Sequence, residues 1–343
     1  MPHQIKIEGR LVGMEAPCFV IAEACDNHLG NMETAKEMVR QAKAAGADAI
    51  KFQHHLPDEE MLGEGIPMSA NFNIPLYEFL QRYALTLDQH YQLREYCKAL
   101  EIIYLCTPFS RKAADEINEM GVGAFKIGSG ELTDLPTLKV IAGFGKPMIL
   151  STGMAEWQEI DETVNCLKPI NPDLILMNCV SEYPARHADT NLGVIELLAK
   201  RYDLTVGHSD HTPDIYTSIA AVALGAKLIE KHLILDRRQP GPDQSVSIEP
   251  YELYELVKGV RRVEEACGSV KAVHELERPI RQWARRSVVS LCPIPQGTTI
   301  SESMVWTKRP GTGIPPKDMH RVVARVAAAD IPAHHLIRWE ELA

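Results

Sequence analysis

Eight short apolar runs in this sequence each lead into residues that can bind anions, hold a metal ion or move protons. The first ends in Glu23 and continues to Asn27-His28, and the second ends in Lys51-Phe52-Gln53. The third leads to Thr107-Pro108-Phe109-Ser110, and the fourth ends in Lys126-Ile127-Gly128-Ser129-Gly130-Glu131. Ser151-Thr152-Gly153 closes the fifth, and Asn178-Cys179-Val180-Ser181-Glu182-Tyr183-Pro184 the sixth. The seventh gives Gly207-His208-Ser209-Asp210-His211-Thr212 and the eighth Glu230-Lys231-His232. Desolvating charged groups at the ends of buried segments is costly, so a purely structural chain has little reason to put them there.

Lys51 and Lys126 both end apolar runs rather than lying on helix faces. Converging, they would seat a small multiply charged anion such as a phosphate or carboxylate. The plainer reading is two lysines snorkelling to the surface. Ser129, Ser151, Ser181 and Ser209, with the glycines beside them, could add hydroxyl and backbone donors, although a turn serine is common. His211 and His232 end neighbouring runs. Two imidazoles with substrate or water oxygens suit a divalent ion of the Mn, Fe, Co or Zn type, and Mg less well. The alternative is two hydrogen-bonded core histidines. His28 and His208 are looser candidates. Glu23, Glu131 and Glu230 would be buried carboxylates suited to acid–base work, or else structural partners of the lysines. Asp243, in Pro240-Gly241-Pro242-Asp243, could hold a polyol or simply end a turn.

The elements that must position these groups follow from periodicity. Candidate strands cover 18–24, 47–52, 102–106, 124–127, 147–150, 174–178, 204–206 and 226–231. They are short and rich in Ile, Val and Leu, as strands buried on both faces are. Helical patterns cover 32–45, 87–99, 111–120, 135–144, 156–167, 192–201, 213–224 and 250–267. Eight strands, each followed by a helix, predict an α/β fold, a (β/α)8 TIM barrel, whose chemistry gathers at the C-terminal strand ends. A doubly wound sheet is the runner-up, but no G-x-G-x-x-G follows the first strand. Residues 5–11 alternate around Glu8-Gly9-Arg10 and predict an N-terminal β-hairpin. The long connection 53–86, with its prolines and glycines, would form a wall or lid. The expected domains are 1–267, the hairpin and barrel; 268–283, a linker; and 284–343, a small β-rich domain with β-type runs at 287–291 and 322–327.

Composition narrows the function classes. With 36 Lys and Arg against 46 Asp and Glu, the net charge of −10 argues against a nucleic-acid binder. No spanning segment or leader-like start is read, and no membrane partner is expected. The eight cysteines form no C-x-x-C pair, which predicts reduced thiols in a cytoplasmic protein.

Taken together the strings resemble the sialic acid synthases. Ile21-Ala22-Glu23 with Asn27-His28-x-Gly30 resembles the family's opening. Ala45-Gly46-Ala47-Asp48-Ala49-Ile50-Lys51-Phe52-Gln53, Thr107-Pro108-Phe109 and Lys126-Ile127-Gly128-Ser129-Gly130-Glu131 follow in the family's order. So do Leu150-Ser151-Thr152-Gly153-Met154, Ser209-Asp210-His211-Thr212, Glu230-Lys231-His232 and Pro240-Gly241-Pro242-Asp243. Arg286-Ser287-Val288 and Lys308-Arg309-Pro310-Gly311-x-Gly313 look like the family's antifreeze-like (SAF) domain.

The resemblance implies a transferase that condenses phosphoenolpyruvate with an N-acetylated hexosamine, N-acetylmannosamine first, to give a nine-carbon 3-deoxy-2-keto acid and phosphate. It implies a divalent metal, Mn2+ or Mg2+, on His211 and His232. It places Lys51, Thr107, Lys126, Ser129, Ser151, Ser181 and Ser209 around phosphoenolpyruvate. Gln53, Glu131, Tyr183 and Asp243 would meet the sugar, with Glu23 and Glu131 as acid–base groups and Glu230 among the substrate-binding residues. Arg309 would be lent to a partner subunit's site in a domain-swapped homodimer. Four positions depart from the pattern: Cys25 stands where Gly is usual, His54 where Thr is frequent, Asn178 where His is common and Val180 where Thr is usual. They flank the pocket and bear on the choice of sugar. Legionaminic and pseudaminic acid synthases, which use diacetamido sugars, are the near alternative. Condensing barrels that make seven- or eight-carbon keto acids, and a non-enzymatic carbohydrate-binding protein, are the remote ones.

Overall fold

The computed structural model describes residues 4–13, 15–68 and 72–343. It divides into two compact units, 1–268 and 269–343. In the first, β1 (Ile5–Ile7) and β2 (Arg10–Val12) pair antiparallel with Ile5 opposite Val12. Glu8 and Gly9 turn between them at φ of 46° and 85°, the left-handed pair that a two-residue hairpin requires.

Eight strands then close a barrel: β3 (Phe19–Glu23), β4 (Ala49–His54), β5 (Ile103–Pro108), β6 (Phe125–Ile127), β7 (Met148–Ser151), β8 (Leu174–Cys179), β9 (Thr205–Asp210) and β10 (Leu228–His232). Each runs parallel to its neighbours, and β10 returns to β3 with Leu228 beside Phe19 and His232 beside Glu23. Closure excludes the doubly wound sheet. Inward residues Phe19, Ile21, Ala49, Leu105, Ala124, Ile149, Ile175, Met177 and Leu228 fill the barrel. Ile5, Ile7 and Val12 of the hairpin pack into the same cluster, so the hairpin plugs the barrel's N-terminal end. Outward residues such as Val20, Ile50, Leu150 and Leu176 pack under the helices.

The helices begin and end where local chemistry directs. Asn31 caps Met32–Ala45 by accepting from the amides of Glu33 and Thr34, and Gly46 ends that helix at φ 85°. Thr86 and Gln89 form a capping box at the start of Leu87–Ala99. The connection after β4 holds helices Pro57–Glu60 and Leu76–Tyr83; residues 69–71 of it lie outside those described. β9 runs on to Asp210, four residues past the apolar run, because its polar end forms part of the barrel's top layer. Among the described residues no helix is long and apolar enough to cross a membrane.

In the second unit, helix Glu277–Ala284 occupies the end of the stretch read as a linker. β11 (Ser287–Ser290) pairs antiparallel with β12 (Val305–Lys308) over a core of Val288, Ile294, Ile300, Val305, Val322, Ile331 and Ile337. The 322–327 run forms no strand. Arg325 accepts from the Ile300 amide, Ala327 donates to the Thr298 carbonyl and accepts from the Gly297 amide, and isolated bridges at Val326 and Ala327 replace a ladder.

Candidate active site

Strand parity decides which end residues meet. Side chains alternate along a strand, so the inward positions of Phe19 and Ile21 carry Glu23 inward as well. The same period brings Lys51 and Gln53 inward on β4, Thr107 on β5, Lys126 on β6, Ser151 on β7, Cys179 on β8, Ser209 on β9, and Glu230 and His232 on β10. With Ser129, Glu131, Ser181, Tyr183 and His211 from the loops, they line one cavity of about 270 Å³.

The opposite parity sends other candidates elsewhere. Lys231 points outward, buried, with its Nζ 3.4 Å from Asp210 Oδ2 and donating to the Thr212 carbonyl. Asp210 also accepts from the hydroxyls of Thr212, Thr217 and Ser218. Together they brace the loop that carries His211. His208 also points outward, its Nδ1 3.0 Å from the Asn178 carbonyl. His28 accepts from the Gly30 amide. Neither His28 nor His208 lines the cavity.

At the cavity floor, charges interlock. Lys51 Nζ lies 2.6 Å from Glu23 Oε2 and 3.7 Å from Glu230 Oε2, and it donates to Thr107 Oγ1 at 3.0 Å. Lys126 Nζ lies 3.2 Å from Glu230 Oε1, which also accepts from Ser209 at 3.0 Å. All four charged groups are buried. Burial alone would raise both carboxyls. It wins at Glu23, whose pKa lies above the ordinary value despite Lys51. At Glu230, Lys126 and Lys51 overcome burial and draw the carboxyl down to about 2. Lys51 is held above its ordinary value, since Glu23 and Glu230 outweigh the effect of burial. The floor therefore has one firmly ionised carboxylate and one able to carry a proton. Above it, Ser129 Oγ accepts from the Gly153 amide at 3.1 Å, and the buried Ser151 hydroxyl has no hydrogen-bond partner.

The imidazoles line the same cavity. His211 and His232 have ring centroids 5.2 Å apart. The Nδ1–H of His211 donates to the Val180 carbonyl at 2.6 Å, which leaves Nε2 to accept from the Tyr183 hydroxyl at 3.1 Å. That tautomer presents a bare nitrogen to the cavity, as a metal ligand must. His232 Nδ1 is buried without a hydrogen-bond partner, 3.4 Å from Asp243 Oδ2. Two imidazoles beside a carboxylate are donor types that suit a divalent ion.

A second cavity of about 480 Å³ adjoins the first and shares Gln53, Phe109, Glu131 and Tyr183 with it. Asp243 lines this one, not the first. So do Asp26, His55 and Glu60, none of which sequence reasoning singled out. His55 continues the inward parity of Lys51 and Gln53, a signal available in the sequence. Its Nδ1 lies 3.0 Å from Glu60 Oε1 and its Nε2 3.0 Å from Gln53 Oε1, while Gln53 donates to Glu23 at 2.8 Å. Burial pushes Asp26 up to about 6. Arg309 belongs to the second unit, where its guanidinium lies 5.1 Å from the Trp283 ring centroid and its Nε donates to the Ala284 carbonyl.

Comparison with known proteins gives this geometry a context. The NeuB family profile matches residues 38–272, and a SAF domain profile matches residues 285–343. The chain belongs to the NeuB family. It is 36% identical to the N,N'-diacetyllegionaminic acid synthase of Legionella pneumophila over 96% of each chain. It is 35% identical to human N-acetylneuraminate-9-phosphate synthase over 95% of this chain and 93% of that one. Among solved structures, the N-acetylneuraminic acid (sialic acid) synthetase of Leptospira borgpetersenii, in complex with citrate, superposes with a TM-score of 0.74 at 32% identity, covering 82% of this chain and 95% of that one. This NeuB chain is an enzyme, a synthase of the sialic or nonulosonic acid kind. The carbohydrate-binding non-enzyme is thereby set aside.

Proposed function

We propose that this NeuB enzyme condenses phosphoenolpyruvate with an open-chain N-acetylated hexosamine and water, giving a nine-carbon 3-deoxy-2-keto acid and phosphate. The observation that carries this reading is the shared floor: Lys51 and Lys126, paired through Glu230, line one cavity together with two imidazoles. The lysines, with Thr107 and the serine hydroxyls of 129, 151, 181 and 209, bind the phosphate and carboxylate of phosphoenolpyruvate. C3 of the enol then forms a bond to the sugar's aldehyde carbon. Water adds to C2, and phosphate leaves with the bridging oxygen as the C–O bond breaks. Glu23, the carboxyl with the higher pKa, holds and passes the proton that these steps move, and Glu131 serves the sugar side. His211 and His232 would hold a divalent ion, which would polarise the aldehyde oxygen. Gln53, Tyr183 and Asp243 orient the sugar chain.

N-acetylmannosamine is the first acceptor of this reading. A diacetamido-trideoxyhexose is the second, favoured by the apolar wall of Leu76, Phe79 and Leu80 in the adjoining cavity, which suits an added acyl methyl. The enzyme acts in the cytoplasm as a domain-swapped homodimer in which Arg309 reaches the partner's sugar. The deciding experiment measures phosphate release from phosphoenolpyruvate with a panel of N-acetylated hexosamines, with and without chelator. Release with such a sugar supports the reading. Turnover only with arabinose 5-phosphate, or full turnover in chelator, refutes it.

A further inference from the structure

Cys25 has no part in the chemistry derived so far. It lies two residues beyond Glu23, fully buried, at a φ of 39° that side-chain-bearing residues rarely adopt. Its Sγ, a ring nitrogen of His232 and a carboxylate oxygen of Asp243 all lie within 4.8 Å of one another. Among the described residues no other trio of His, Cys, Asp and Glu side chains gathers as closely.

We propose that Cys25 is a thiolate ligand of the divalent ion, together with His232 and Asp243, and that this donor set selects a zinc-, cobalt- or iron-type ion over magnesium. Four-coordinate ligands on such an ion sit about 3.3 to 3.8 Å from one another, so the trio needs only a short inward movement. The buried, unpartnered Nδ1 of His232 is the independent sign that something is meant to meet it. His211, its ring 5.2 Å from that of His232, stands beside this trio rather than within it.

The surroundings hold the carboxylate in place. Asn27 donates to the Leu233 carbonyl and to Ser247 Oγ, both at 2.9 Å, and Ser247 donates to the Asp243 carbonyl at 2.7 Å. The loop lies so close that a Cβ on Gly241 would come within 2.5 Å of Asn27 Oδ1. Such outer contacts fix where a ligand points. Charge also balances. A thiolate and a carboxylate match the ion's two positive charges, while Lys51 and Lys126 already have Glu23 and Glu230. Thiolate and imidazole are donors that the softer transition ions favour, whereas magnesium favours oxygen. The thiol gives up its proton as the ion arrives.

This inference rests on the metal-assisted condensation proposed above, but its test reads spectra without turnover, so the two can fail separately. The full chain is titrated with Co2+ alone. A thiolate-to-cobalt charge-transfer band in the near ultraviolet, bleached by Zn2+, is the expected result. Cys25→Ser should lose the band and weaken Zn2+ binding by about tenfold or more, with Mg2+ binding little changed. Cys25→Gly, suited to the backbone there, is the second variant should serine fail to fold. Cys179 is the rival thiol, since its Sγ lies 3.9 Å from His211 Nδ1; Cys179→Ser should keep the band. A cobalt complex without that band, a band that persists in both Cys25 variants, or one lost only with Cys179 overturns the proposal.

Discussion

Glu230 spans the two lysines of the cavity floor, one carboxylate oxygen 3.2 Å from Lys126 Nζ and the other 3.7 Å from Lys51 Nζ. Glu230→Gln leaves two buried ammonium groups with one carboxylate between them. Breaking a buried pair in this way costs about 3 to 5 kcal/mol. The variant should melt well below the parent, and inorganic phosphate should raise its melting temperature more than the parent's, because an anion now supplies the missing charge. Equal phosphate shifts in thermal scans would show that the floor does not bind anions.

Lys126→Met keeps much of the side chain's bulk and removes its charge. Losing a charge-assisted hydrogen bond of about 2 to 3 kcal/mol should raise the phosphoenolpyruvate KM about 30- to 100-fold. The sugar KM should move little. Steady-state kinetics with each substrate varied in turn separates the two, and a rise confined to the sugar would misplace the lysine.

His211→Ala removes a nitrogen donor and the Tyr183 contact at 3.1 Å. Turnover should fall about a thousandfold or more, as expected when a metal that polarises the reacting oxygen is lost. The circular-dichroism spectrum should match the parent's. Chelator should reduce the parent to the same level, and added divalent ion should restore the parent alone. Parent-like metal content and rate in the variant would remove His211 from the site.

His90 offers a pH test away from the cavity. It is wholly buried, its Nδ1 2.7 Å from the Tyr104 hydroxyl, and burial holds its pKa well below 6.5, helped by His54, His28 and His55. A depressed histidine pKa means that, below the ordinary value, the unfolded chain binds a proton the folded one refuses. Its stabilising contribution is therefore complete above 6.5 and declines as pH falls, until the folded-state ring itself titrates. His90→Gln should flatten the stability profile between about pH 5 and 6.5 by up to about 1.4 kcal/mol per pH unit. Denaturant titrations at several pH values would expose an unchanged slope.

Arg309→Ala should raise the sugar KM without altering that for phosphoenolpyruvate. Mixing and re-forming dimers from Arg309→Ala and Lys126→Met chains should recover activity, because a swapped dimer then contains one site with both residues intact. No recovery above the sum of the two parents would contradict the swap.

The barrel was legible because buried parallel strands leave continuous apolar runs and the helices between them keep their period. The cavity was legible because charged residues at those strand ends stand out. Strand parity carried beyond the apolar runs accounts for the rest. Lys51, Gln53 and His55 share one side of their strand, yet His55 lay past the apolar run and drew no notice. Lys231, next to Glu230, faces the helices instead. Cys25 and Asp243 were separate curiosities, since 218 positions of chain hide the loop contact that joins them. The 322–327 run misled because a small domain satisfies apolar residues with single bridges rather than a ladder.

The stopper formed by β1 and β2 has a kinetic consequence. With Ile5, Ile7 and Val12 packed into the barrel's base, the described residues close that end and leave the cavity to open among the loops beyond the strands' C-terminal ends. The lysine seat lies at the bottom of that well, Lys51 being 3% exposed, whereas Tyr183 at the brim is 48% exposed. Whatever occupies the bottom must enter first. On the reading proposed above, the expected outcome is ordered addition, the three-carbon acid before the sugar, and initial-rate and product-inhibition kinetics would check it.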